Sequence, residues 1–138
     1  MRFASLKSDY WELESGEQRR AANGETFWLP EIEVRSGLRK GQLAKLLFLI
    51  EAFDENGKPE IGVERMWVLV TQVEAEFYVG RLVNQPACLE PAENVYLSLG
   101  AEIPFGAEHV IDVHEWSEKD VQDFMANAPL KSWHRAGA

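Results

Sequence analysis

Apolar residues run without a break through Met66-Trp67-Val68-Leu69-Val70, with Glu64-Arg65 before them and Thr71-Gln72 after. A short apolar run of β-branched and aromatic types between polar residues predicts a strand buried on both faces. Side chains alternate along a strand, so Met66, Val68 and Val70 are expected on one face and Trp67 and Leu69 on the other. A polar break at 72–75 leads into a second run at 76–84, and the two make an antiparallel hairpin at the centre of the domain. Upstream, 42–53 predicts another strand, joined to the central one (about 61–73) by a polar loop carrying the hairpin signal Asn56-Gly57. Gly80 inside its strand predicts a bulge or sharp bend. Two short strands follow, 102–105 and 109–113, the first an edge strand because of Pro104.

The helical period is weaker. Phe3, Leu6, Tyr10 and Leu13 recur at intervals of three and four, which predicts one helix docked by that stripe, with Trp11 at its border. Residues 17–22 resume a helix, with Glu17 and Arg20 spaced to pair and Asn23-Gly24 as its stop. Pro30 suits the start of a short helical turn with Ile32 and Val34 facing inward. Near the other end, Ser117 caps a helix with Asp120 three residues on, Val121, Phe124 and Met125 form its stripe, and Trp133 docks from the tail. The reading is mainly β (α+β): a small SH3-like partly open barrel, or a twisted antiparallel sheet, with helices at both ends. Residues 1–26 form a helical extension, 27–115 the β domain and 116–138 a helix and tail.

The chain has 138 residues, enough for one domain with a real core, and a formal charge of −9. That field opposes nucleic acid and favours solubility or a basic protein partner. No apolar run is long enough to cross a membrane. Lys7, Ser8 and Asp9 interrupt any signal-like apolar segment, and the single Cys88 forms no internal disulfide, so a reducing cytoplasm is expected.

Four fragments share an order and spacing: Leu38-x-x-Gly41, Glu64-x-Met66-Trp67-Val68, Gly80-x-Leu82-x-Asn84-x-Pro86, and Leu97-x-x-Gly100-x-x-Ile103-x-Phe105. On these, residues 27–113 resemble the YegJ-like bacterial family, a domain of unknown function. Gln42 and Ala101 stand where that family often has aspartate after the glycine. The resemblance implies no catalytic residues and no cofactor.

No nucleophile elbow, metalloprotease helix or phosphate loop is present. The group 108–115 holds Glu108, His109, Asp112, His114 and Glu115, but one strand face with one His and two carboxylates is a poor start for a zinc site, and no metal is expected. Pro86-Ala87-Cys88-Leu89 offers nothing to lower a thiol pKa. Trp67, Tyr78, Phe105 and Trp116 suit either core or a peptide groove, with core favoured. Arg35, Arg39, Lys40 and Lys45 are expected to meet the chain's own carboxylates. Polar groups at strand ends can face a ligand, which makes Glu64, Trp67, Tyr78, Asn84 and His109 the candidate binding residues. The function expected is a non-enzymatic protein-binding or regulatory module. The alternatives are an immunity-type antidote to a basic toxin, and a small enzyme with a site near Glu64, Tyr78 and His109.

Overall fold

The computed structural model of the chain describes residues 2–23 and 27–134. In chain order its elements are α1 (Leu6–Asp9), β1 (Trp11–Glu14), α2 (Gly16–Asn23), α3 (Ile32–Arg35), β2 (Gln42–Phe53), β3 (Pro59–Val73), β4 (Tyr78–Leu82), β5 (Glu102–Phe105), a 3-10 turn (Ala107–His109), β6 (Val110–Glu115) and α4 (Glu118–Met125). The fold is mainly β: a six-stranded antiparallel sheet curled into a half-barrel, with a few short helices. The strand order is β1-β2-β3-β4-β5, and β6 returns to pair with β2. Strand β2 is long enough to hold two partners on one edge, β6 along 42–46 and β1 along 47–50.

Alternation along β3 sorts the core. Met66, Val68 and Val70 face inward with Leu46, Phe48 and Ile50 of β2 and with Trp11 and Leu13 of β1. On the other face Leu47, Leu29 and Ile111 make a smaller cluster with Phe27. Trp67 also points outward and stays half-buried, its ring edge-on to His114 at 4.9 Å with Lys45 Nζ 5.4 Å from its centroid. The bulge falls on β3, where the register skips Thr71 opposite Val79 and Gly80, and the Thr71 hydroxyl donates to Val79 O at 3.1 Å. Gly80 is required there because a Cβ would lie 2.8 Å from Leu69 O.

The two Leu-x-x-Gly fragments do the same job. Leu38 and Leu97 are buried, while Gly41 (φ +92°) and Gly100 (φ +88°) turn the chain through the left-handed region. Their N–H groups donate to Val70 O and Leu82 O of a neighbouring strand. Pro104 is tolerated because β5 is the sheet's last strand, and the tail seals its edge. Glu102 N donates to Lys131 O at 3.0 Å, and Trp133 N donates to the Glu102 carboxylate at 3.0 Å.

The predicted helix over Phe3 to Leu13 is corrected. Tyr10 takes a left-handed conformation (φ 66°) that ends α1 after one turn, and Trp11 to Leu13 join the sheet beside β2. Pairing along β2 lets Trp11 and Leu13 share one buried face at the strand period of two. In α3 the inward residue is Arg35, whereas Ile32 and Val34 are exposed. Glu17 pairs with Arg35 at 2.6 Å instead of Arg20. Gly24 of the predicted helix stop lies outside the described residues. Helix α4 is capped as the sequence indicates, with Asp120 N donating to Ser117 Oγ at 3.1 Å.

Candidate functional site

Strand β1 reads Trp-Glu-Leu-Glu and borders two cavities, one at each end. Glu12, Leu13 and Glu14, with Leu49 of β2, border an open pocket of about 600 Å3 that is completed by Glu17 and Gln18 of α2 and by Glu108 and His109 of the 3-10 turn. Arg19 and Arg35 neutralise Glu14 and Glu17, at 2.8 and 2.6 Å. Arg35 is buried and spends its other donors on Pro30 O and Ala107 O, which ties α3 to the turn before β6. His109 is 7% exposed and accepts from Gly106 N at its Nδ1, so its proton sits on Nε2, 3.6 Å from Glu108. Burial lowers its pKa against the opposing pull of Glu108 and Glu17. Among the described residues no three His, Cys, Asp or Glu side chains converge as metal ligands.

The second cavity, about 490 Å3, lies beside Trp11 between the ends of α1 and β2 and the loop 88–97. Its walls are Tyr10, Trp11, Ala52, Leu89, Tyr96 and Leu97, and its carboxylates are Asp9, Glu51 and Glu90. Trp11 is 2% exposed, and its ring stacks on Tyr96 at 6.3 Å and meets Trp133 edge-on at 5.6 Å. The Trp11 Nε1–H is buried without a hydrogen-bond partner among the described residues.

The five candidate binding residues do not share a cavity. Only His109 lines one of these two, the acidic pocket. Glu64, Tyr78 and Asn84 spend their polar atoms on backbone groups, and Trp67 presents its ring outward. The Glu64 carboxylate accepts from Ala87 N and Cys88 N at 2.8 and 3.2 Å, which fixes the loop carrying Cys88 into the Trp11 cavity wall. Burial raises the Glu64 pKa, but the Cys88 thiol and those two N–H groups outweigh it and leave the pKa lowered. Partial burial of the thiol, together with this contact, pushes the Cys88 pKa up to about 11, which disfavours the thiolate at neutral pH. Asn84 Oδ1 accepts from Trp67 N at 2.8 Å and extends the β3–β4 ladder. The Tyr78 hydroxyl donates to Arg35 O and accepts from Leu38 N, and its ring stacks on Phe105 at 5.2 Å inside the core. The aromatic set therefore splits: Tyr78 and Phe105 are core, Trp67 is on the outer face, and Trp116 packs on Phe124.

One feature escaped the sequence reading. Pairing with β4 ends near Val68, and beyond Trp67 the β3 edge continues without a partner strand. The N–H and C=O groups of Ile61, Val63 and Arg65 share the parity of Trp67, which bonds toward β4, and they receive no hydrogen bond among the described residues. Ile61 and Val63 are 58% and 50% exposed, with Phe53 (62%) at the strand end opposite. The signal was the stretch before the apolar run, where Ile61 and Val63 alternate with polar residues or glycine.

Comparison with protein-family models, curated proteins and solved structures found no match for this chain. Among the described residues no helix is long and apolar enough to cross a membrane.

Proposed function

We propose that this chain is a non-enzymatic protein-binding module that takes an extended, basic segment of its partner along the open edge of β3. The carrying observation is the row of backbone groups at Ile61, Val63 and Arg65 that have no partner among the described residues, beside exposed apolar side chains. Such an edge is a template for an added strand, with backbone hydrogen bonds giving affinity and alternate side chains giving selectivity. The net charge of −9 and the carboxylates of the acidic pocket favour a basic partner and disfavour nucleic acid. The same acidity supports a second reading, an immunity-type antidote whose partner is a basic toxin. We also read β2 to β6, with the 3-10 turn before the last strand, as an SH3-like barrel of the YegJ-like kind.

The test is Val63→Pro. It removes a donor from the open edge and leaves the β2 ladder intact, since Val63 N–H points away from β2. Cross-linking in the native host, read by mass spectrometry, is expected to give a basic partner with the wild type and to lose it with Val63→Pro at unchanged melting temperature. A partner retained by Val63→Pro, or no partner at all, overturns the reading.

A further inference from the structure

The open edge of β3 presents different chemistry on its two faces. Alternate residues of the strand project from opposite sides of the sheet, and Met66 and Val68 point into the core. Glu60, Gly62 and Glu64 therefore belong to the inner face, and Ile61, Val63 and Arg65 to the outer one. On the outer face Val63 stands opposite half-buried Leu49, and Ile61 stands opposite Glu51 and diagonal to exposed Phe53. This apolar row stops at the edge. A strand added there sets its own residues beside Ile61 and Val63, where an apolar side chain buries area and a charged one does not. On the inner face a Cβ at Gly62 would meet nothing within 4 Å, which leaves an open notch between Glu60 and Glu64. The Glu64 carboxylate is spent on Ala87 N and Cys88 N, whereas Glu60 is exposed and forms no ion pair among the described residues.

We infer, on the reading that the β3 edge takes an extended segment of a partner, that the segment is selected by the order apolar–basic–apolar. The two apolar residues lie beside Ile61 and Val63 on the outer face. The lysine or arginine between them falls on the inner face, where its stem crosses the Gly62 notch and its charge meets Glu60. Residues opposite one another share a face in parallel and in antiparallel pairing, so the order holds for either direction of the added strand. Arg65, next on the outer face, disfavours a further basic residue beside it. The net charge of −9 favours any basic segment, but this geometry separates segments of equal charge and composition by their order.

The test is a titration of the 15N-labelled full chain, followed by NMR, with three capped peptides. They are Ser-Ser-Val-Arg-Val-Ser-Ser, its permutation Ser-Ser-Val-Val-Arg-Ser-Ser, and the charge-reversed Ser-Ser-Val-Glu-Val-Ser-Ser. The first is expected to shift the amides of Ile61, Val63 and Arg65 at millimolar concentration. It should bind about threefold to tenfold more tightly than either of the others, the size of effect that one exposed cross-strand contact carries. Glu60→Lys changes an exposed side chain, so its melting temperature is expected to match the wild type, and it should turn the preference toward the glutamate peptide. Equal binding of all three peptides that Val63→Pro abolishes overturns selection by order and leaves the edge reading standing. Binding of none, or binding that survives in Val63→Pro, overturns the edge reading and the selection with it. A preference for the arginine peptide over the glutamate peptide that persists unchanged in Glu60→Lys also overturns the inference, because the net field and not Glu60 then sets it.

Discussion

The two faces of β1 differ in what they pack against. Trp11 and Leu13 face the apolar core, where Trp11 packs on Phe48, Tyr96 and Trp133. Glu12 and Glu14 face an open acidic pocket where arginines answer two of the four glutamates. A four-residue strand can do this because its period of two sends neighbours to opposite faces. The difference teaches where stability and recognition reside. The core side carries packing energy through the apolar area it buries, while the exposed carboxylates of the other side carry little.

The largest expected effect breaks the aromatic side. Trp11→Ala should destabilise by about 3–5 kcal/mol, as for other buried aromatic truncations. Glu14→Gln on the same strand should stay within about 0.5 kcal/mol. Urea denaturation midpoints measure both, and similar losses would refute the contrast.

Arg35 is the exception on the acidic side. Its guanidinium is buried and serves Glu17, Pro30 O and Ala107 O together. Arg35→Met should lose about 1–3 kcal/mol by stranding the buried Pro30 carbonyl and the half-buried Ala107 carbonyl. Arg35→Lys should recover only part of that in the same denaturation assay, because one ammonium lacks the planar fork.

His109 sharpens the comparison through pH. Its folded pKa lies below its unfolded value, so below about pH 6.5 the unfolded chain takes the proton first and stability falls as pH drops. Protonation also removes the Nδ1 acceptor for Gly106 N. Melting temperature should decline from pH 7 toward pH 5 in the wild type and decline less in His109→Gln. Parallel curves would show that another group carries the dependence.

The smallest effect concerns Glu64. Glu64→Gln removes the carboxylate beside the Cys88 thiol, so the thiol pKa should drop from about 11 toward its ordinary value. Iodoacetamide alkylation followed against pH reads this directly. An unchanged profile would mean that burial alone holds the thiol protonated.

Much of the barrel was legible because its strands follow short-range rules. Residues 66–70 read as a strand and form one, the Asn56-Gly57 loop joins β2 to β3, and β5 matches its predicted bounds at Glu102–Phe105. The candidate site was less legible. Glu64, Asn84 and Tyr78 stand out in the sequence as polar groups among apolar strands, yet the groups they serve are backbone atoms 17 to 43 residues away.

The sequence alone determined the alternation: which residues of 42–53 and 66–70 share a face, where Gly41 and Gly100 must turn the chain, and the acidity that any partner meets. Tertiary structure decided the rest. At Phe3 to Leu13 a helical stripe competed with a strand pattern, and pairing with β2 selected the strand. The open edge of β3 exists because β4 is a short strand that ends where the chain turns away at 83–88. Both outcomes rest on backbone hydrogen bonds between segments far apart in the chain. Local side-chain patterns do not encode which distant edge is free to receive a strand.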